Sequence, residues 1–335
     1  MLVLGIETSC DETAAAVLRD GHELLSNVIF SQVDIHSKYG GIVPEIAGRC
    51  HIESIDLVVQ QALQEAGVDL GEIDLIGVTE GPGLVVSLIV GINAAKALGY
   101  ASNIPVLGIN HLEGHLLAIF LQEQVAFPFL ALIVSGGHTD LVRADGVGQY
   151  KVIGRTRDDA AGESFDKVAK MLGLGYPGGP LIEKLGREGD PSAHAFPRSM
   201  LTNGNFDFSF SGIKSAVRRH LETNNFPGNQ EISLADIAAS FQEAVVDVLI
   251  KKLLRAARNE GLERLVLTGG VAANGCLRDR LFSEAEKEGF SAFVPKPVYC
   301  TDNAAMIASA AFLRHEAQLQ GTPLMELDGK SSLSF

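Results

Sequence analysis

Residues 2–6 (LVLGI) form an apolar run of strand length that enters a polar turn at Thr8, Ser9 and Asp11, and the chain returns through TAAAVLRDG as a second short strand. The same pattern recurs at Phe129–Arg143 (FLALIVSGGHTDLVR), where an apolar strand meets a Ser-Gly-Gly turn and comes back through DLV. A further apolar strand, Arg264–Gly270 (RLVLTGG), also ends in glycines. The chain therefore reads as two related halves, each opening with a strand–polar turn–strand unit, a repeat of pattern rather than of identity.

Helical periodicity lies between these strands. His51–Ala66 places apolar residues at helical spacing and stops at Gly67. Leu234–Asn259 is a long amphipathic run with basic residues toward its end, as the helix dipole prefers, and Ala304–Gln318 is another helix. Strands alternating with helices predict an α/β architecture. Two polar, Gly/Asn-rich stretches, 203–212 and 222–231, read as loops. A boundary near Val125–Pro128 gives a first domain over 1–127 and a second over 128–299, with a C-terminal helix and tail over 300–335 that can pack back on the first domain.

A length of 335 residues agrees with two domains, and 46% hydrophobic with 20% charged residues is enough apolar material for their cores. The longest apolar run, Leu84–Ile92, is half what a bilayer span needs, and the N-terminus turns acidic at once instead of offering a basic signal-peptide region. Cys10, Cys50, Cys276 and Cys300 form no CxxC pair; a reducing cytoplasm without membrane attachment is expected. A net charge of −14 argues against a stand-alone nucleic-acid binder. Two local basic runs stand against that charge, Lys214, Arg218 and Arg219, and Lys251, Lys252, Arg255 and Arg258; both read first as solvated helix faces.

The most specific chemical signal is His111-Leu-Glu-Gly-His115. Histidines at i and i+4 share a helix face, where two imidazoles can bind one transition-metal ion. A zinc-protease helix would carry Glu directly after the first His as general base; Leu112 stands there, and Glu113 is rotated away by about 100°. A third ligand is needed, and Asp302, just before the Ala304 helix, is a candidate as ligand or as simple helix cap.

Glycine-rich turns are the second signal. Ser135-Gly136-Gly137-His138-Thr139 and Gly269-Gly270-Val271-Ala272-Ala273-Asn274 each follow a strand, where backbone N–H groups can approach an anion, and together with the turn at Thr8–Thr13 they predict a nucleotide-binding cleft. A phosphate-loop lysine motif is absent, and Gly173-Leu-Gly175-Tyr-Pro-Gly178, though it fits GxGxxG, follows a helical run and carries Pro177. The acids of Asp158–Lys167 (DDAAGESFDK) read as an acidic helix start, with Asp166 and Glu183 as candidates to bind ribose hydroxyls.

Taken in order, GIETSCDET, HLEGH, SGGHT, AAGESFDK, YPGGP, FSFSGIK, GGVAAN and TDNAAM, spread from residue 5 to 306, closely resemble the bacterial TsaD family, the catalytic subunit of tRNA N6-adenosine threonylcarbamoyltransferase. The resemblance implies an actin-like ATPase (ASKHA) fold of two ribonuclease-H-like domains with the active site in the interdomain cleft. It implies one divalent metal on His111, His115 and Asp302, iron expected and zinc the alternative. It assigns Ile133, Val134, Ser135, Gly136, Gly137, Asp166, Gly179, Glu183 and Asn274 to the adenylate part of threonylcarbamoyl-AMP. It further implies transfer to adenosine 37 of tRNAs reading ANN codons, with a TsaB-like paralogue and a TsaE-like ATPase as partners. Asp11 or Glu12 is expected to orient the attacking amine or take its proton. Three other classes are weighed against this: a sugar or acyl kinase of the same fold, which calls for Mg²⁺ and oxygen ligands rather than imidazoles; a non-catalytic scaffold, which is expected to lose the His pair; and the metalloprotease disfavoured by Glu113.

Overall fold

The computed structural model of the chain describes residues 1–201, 204–228 and 233–335. It divides into two compact units: Met1–Ala126, Gly146–Tyr150 and Val298–Phe335 form the first, and Phe127–Asp145 and Lys151–Pro297 the second.

The first unit is built on β1 (Leu2–Glu7), β2 (Glu12–Arg19), β3 (Glu23–Ser31), β4 (Leu75–Gly81) and β5 (Val106–Asn110), in the order β3-β2-β1-β4-β5. The second sheet uses β6 (Phe129–Val134), β7 (Thr139–Gly146), β8 (Gln149–Arg155), β9 (Arg264–Thr268) and β10 (Ser291–Phe293), in the order β8-β7-β6-β9-β10. The two orders are the same. In each sheet the opening strand is central, antiparallel to its hairpin partner and parallel to the next strand that arrives by a crossover: β1 against β2 and β4, β6 against β7 and β9. Central strands are covered on both faces, which is why LVLGIE and FLALIV are apolar almost throughout instead of alternating. The helices are α1 (Val33–His36), α2 (Pro44–Ala66), α3 (Val85–Ser102), α4 (His111–Leu117), α5 (Ala161–Met171), α6 (Gly178–Gly186), α7 (Ser211–Thr223), α8 (Leu234–Glu260), α9 (Gly275–Glu288), α10 (Pro297–Cys300) and α11 (Ala304–Glu316).

Three elements differ from the sequence reading. Helix α2 begins at Pro44, seven residues before His51, because Gly48 serves packing: a Cβ there would sit 3.3 Å from the carbonyl oxygen of Val86 on α3. The apolar run at Leu84–Ile92 belongs to an 18-residue helix, α3, whose mean hydropathy of 1.4 and length are sufficient to cross a membrane; Leu88, Ile92 and Ala95 on it are buried in the core of the first unit. The expected loops are shorter than read, since Ser211–Gly212 open α7 and Glu222–Thr223 close it, while 202–203 and 229–232 lie outside the described residues. Helix α7 has no local side-chain cap. Its first N–H groups are taken by Asp158, which accepts from the backbone N–H of Phe210 at 2.8 Å and of Ser211 at 3.3 Å, and from both flanking serine hydroxyls. A cap 53 positions away leaves no mark in the local sequence. Likewise Lys252 is not on a solvated face: it is fully buried, donates to the carbonyl of Asp207 and lies 5.2 Å from the centre of the Phe208 ring.

The packing that matters most for the first unit is α11 against the centre of its sheet. A Cβ on Gly5 of β1 would lie 2.2 Å from the carbonyl oxygen of Ala304 and 2.8 Å from the amide of Ala308, and one on Gly77 of β4 would lie 2.6 Å from the Ala311 methyl. Glycine on the strands and alanine on the helix let the two backbones approach as no larger pair allows. Gly5→Ala is therefore expected to destabilise the chain by about 3 kcal/mol, since backbone, not a flexible side chain, must move. Thermal unfolding is expected to shift down by roughly 6–12 °C; an unchanged midpoint would show that α11 does not bear on β1 this closely.

Candidate active site

Each member of the histidine–aspartate cluster is placed by a helix start. Strand β5 ends at Asn110, whose side chain accepts the N–H of Leu112 at 2.9 Å and so starts α4 on His111. Before α11 the cap is Asn303, accepting from Met306 N–H at 3.0 Å, so Asp302 is released from the capping role that its position suggested. His111 and His115 are 6% and 0% exposed, their ring centres 4.7 Å apart. Asp302 Oδ1 lies 3.1 Å from His115 Nε2 and 3.6 Å from His111 Nε2. The ligand atoms of the three residues all fall within 4.8 Å of one another, and two imidazole nitrogens with one carboxylate oxygen are a donor set for a divalent transition metal.

A second ring of groups holds this set, a role the sequence did not assign to them. Glu7 at the end of β1 lies 3.1 Å from His111 Nδ1, with Ser9 Oγ at 3.2 Å from the same nitrogen. Glu7 is itself held by the hydroxyl of Thr79 and the amide of Ser9, both at 2.5 Å. An Nδ1–H donating to a carboxylate fixes the tautomer and aims the Nε2 lone pair outward, the arrangement expected behind a metal-bound histidine. Burial by itself pushes His111 down, but the Glu7 and Asp302 carboxylates outweigh it and raise the imidazole to about 9. Glu7 lies inside the GIETSCDET motif with no role assigned to it there, and Thr79 lies in no motif; their place at neighbouring β1 and β4 ends brings them together here.

Asp11 lies in the β1–β2 turn of the same unit and Glu12 opens β2. Burial, then the neighbouring Asp11 and Asp302 carboxylates, push Glu12 up to about 10, and a hydrogen bond with Asp11 favours its protonated form. Glu113 is committed elsewhere: it accepts from Tyr150 Oη at 2.9 Å and pairs with Arg314 at 3.0 Å. A carboxylate tied to a guanidinium and a phenol supports α4 from behind and is not placed as a protease base.

In the second unit the glycine turns meet at one end of the sheet. Gly269, at φ +91°, follows β9 so closely against β6 that a Cβ would lie 2.5 Å from the carbonyl oxygen of Val134. Ile133 and Val134 are buried in β6, Ser135 is nearly so, and the space above Gly136 and Gly137 is open. Helix α5 abuts this turn, with the N–H of Gly162 donating to Ser135 O at 3.2 Å. Asp166 on α5 accepts the N–H of Gly178 at 2.7 Å, which sets the start of α6; Gly179 beside it is open. From α6, Glu183 accepts the N–H of Gly275 at 3.2 Å, and Asn274 caps α9 while donating to Gln242 at 2.8 Å. The structure thus brings Ser135–Gly137, Asp166, Gly179, Glu183 and Asn274 to one end of this unit, and adds Gln242, buried on α8, which no motif announced. Glu183, Gln242 and Gly275 line a cavity of about 540 Å³ there.

A repeated sheet order with glycine turns at strand ends defines an actin-like α/β protein. Solved structures of the same fold include a HypF from T. kodakarensis, 14% identical with a TM-score of 0.62 over 97% of this chain and 48% of that one. The activator of the 2-hydroxyisocaproyl-CoA dehydratase from Clostridium difficile, with bound ADPNP, is 15% identical with a TM-score of 0.55 over 96% and 100%. At such identities these show the fold alone. Residues 23–309 match the family described as TsaD, tRNA N6-adenosine threonylcarbamoyltransferase. Proteins of that name from Syntrophotalea carbinolica and Desulfitobacterium hafniense are 54% and 57% identical, over 98% and 93% of this chain and 94% and 92% of theirs. The chain belongs to the TsaD family and is, with it, a tRNA-modifying acyltransferase.

Two outcomes follow for the cluster. Glu7→Gln is expected to weaken metal binding by roughly 10- to 100-fold with the fold retained, measured by competition with a chromophoric chelator. In the metal-free chain the His111 proton, held by two carboxylates, contributes stability that is complete below 6.5 and is lost as pH rises through about 9. A bound metal must displace that proton, so its affinity is expected to climb about tenfold per pH unit toward that value; a pH-independent affinity would show that His111 is not a ligand.

Proposed function

We propose that the chain transfers the threonylcarbamoyl group of threonylcarbamoyl-AMP to N6 of adenosine 37 in tRNAs reading ANN codons, releasing AMP. The observation that carries this reading is the cluster of buried His111 and His115 with half-buried Asp302, and Glu7 behind it, in a chain of the TsaD family. A divalent ion, iron or alternatively zinc, supplies Lewis-acid polarisation of the carbamoyl carbonyl when bound there.

The chain's own groups do the rest. The open backbone over Gly136, Gly137 and Gly179 is assigned to the phosphate of the adenylate, which leaves as AMP when the carbon–oxygen bond to phosphate breaks. Buried Ile133 and Val134 hold that turn in place, and Asp166, Glu183 and Asn274 are assigned to the nucleoside. The N6 amine forms the new bond to the carbamoyl carbon and gives up one proton. Asp11 or Glu12 is assigned to orient that amine, and with Glu12 held in its protonated form the proton goes to Asp11. Reaching N6 requires the base to leave its stack in the anticodon loop. A TsaB-like paralogue and a TsaE-like ATPase are the proposed partners. The exposed apolar residues Ile52 and Leu57 on α2 and Tyr100 on α3 support a protein partner on the first unit.

The test combines the purified chain, threonylcarbamoyl-AMP, an ANN-decoding tRNA and the proposed partners, with nucleosides read by mass spectrometry. Threonylcarbamoyladenosine is expected, and is expected to disappear on chelation and in the His111→Ala/His115→Ala double variant, whose unfolding midpoint stays near that of the parent. Full activity in the double variant would sink the metal assignment.

A further inference from the structure

The second unit holds another cavity, of about 410 Å³, that shares no lining residue with the one beside Glu183 and Gly275. Its wall is aromatic. The rings of His194 and His220 are centred 4.4 Å apart, and Phe196 lies 5.9 Å from the first and 6.1 Å from the second. Phe196 is buried beneath, while both imidazoles are half-buried and face the opening.

The wall is fixed in place from three sides. The backbone N–H of His194 donates to Ser240 Oγ at 3.1 Å. Arg198 donates to the carbonyl of Phe196 at 2.8 Å while pairing with Asp247. Asn224 donates to the carbonyl of His220 at 2.8 Å. Burial, and His194 beside it, hold His220 below its ordinary value, so at neutral pH this ring offers an uncharged π face. An aromatic ring held in place and open on one side is what a planar heterocycle stacks on.

Basic residues are concentrated beside the cavity, although acids from the same and neighbouring elements pair most of them. Against a net −14 overall, the segment from Ala193 to Arg219 carries Arg198, Lys214, Arg218 and Arg219 and the single acid Asp207. Three of the four cations are occupied: Arg198 by Asp247, Lys214 by Asp159 and Arg218 by Glu222. Arg219, exposed at the rim of the cavity, makes no ion pair among the described residues. The basic run that reads in sequence as a solvated helix face thus supplies one uncommitted cation beside a stacking wall.

Resting on the reading that the acceptor is a tRNA, we infer that this cavity takes an unstacked nucleobase of the acceptor's anticodon loop, stacked on the ring of His194 with His220 set at 57° beside it, and a flanking phosphate on Arg219. Aromatic stacking with a nearby guanidinium is how single-stranded RNA is held without a broad basic surface. An acidic chain needs that economy. The base taken here is a neighbour of the reacting adenosine or another loop nucleotide, so the contact fixes the loop and not the chemistry.

The test measures fluorescence anisotropy of a labelled anticodon stem-loop from an ANN-decoding tRNA with the full-length chain, over a range of salt. Arg219→Ala is expected to weaken binding several-fold and to lower the salt slope by about one. His194→Ala is expected to cost roughly five- to tenfold, and His194→Phe, which keeps a stacking face, to restore most of it. AMP affinity, measured by calorimetry, is expected to be unchanged in all three, which shows that they are folded and that the adenylate end is separate. Stem-loop affinity undiminished in both Arg219→Ala and His194→Ala overturns this inference alone. A parent chain that, with the proposed partners present, binds AMP but not the stem-loop overturns the reading of this acceptor loop and this inference with it.

Discussion

The close approach of α11 to the middle of the first sheet is the constraint on which the candidate metal centre depends. Asp302 sits two residues before that helix, and its position is set by where Ala304 and Ala308 rest on Gly5. Glu7, two residues along the same strand, supports His111. One strand therefore fixes both the third ligand, through the helix lying on it, and the partner of the first. A shift of α11 by the width of a methyl group would open the 3.1 Å contact between His115 and Asp302. Small residues in β1, β4 and α11 are part of the site although none touches it.

The second unit reaches its chemistry by a different use of the same sheet. Its glycine turns lie at the ends of neighbouring parallel strands, where backbone N–H groups and helix starts converge. The first unit places side chains at strand ends: Glu7 closes β1, Asn110 closes β5 and His111 follows it. One topology thus presents imidazole and carboxylate in one copy and bare backbone in the other. A reaction that needs a cation at a carbonyl and a cradle for a phosphate leaving group calls for both.

Much of this was legible in the chain. The repeated strand–turn–strand openings became two sheets of one order, the His111/His115 spacing became one face of a buried helix, and residues 23–309 carry the family's pattern. What stayed hidden had long-range causes. Thr79 reads as a strand position, and Glu7 as a motif residue without a role, because their partners lie 72 and 104 residues away in sequence. The start of α7 was missed because its cap is Asp158, and Gln242 because its only signal is contact with Asn274 across two helices. Lys252 was read as solvated because nothing local shows that Asp207 and Phe208 close over it. Periodicity reports which face of an element is covered, not which distant group satisfies a buried polar atom.

The order of the ligands along the chain has a consequence for biosynthesis. His111 and His115 emerge from the ribosome with two-thirds of the chain still to be made, while Asp302 and the helix that seats it come near the end. Until α11 docks, β1 and β4 lack the cover that Gly5 and Gly77 are shaped to accept, and the two imidazoles have no carboxylate from that helix. The nascent first unit is thus an incomplete chelator with an exposed sheet face, open to chaperones and poor at capturing metal. Docking of that helix covers the sheet and completes the candidate ligand set in one event, so a metal bound there would report that α11 is in place.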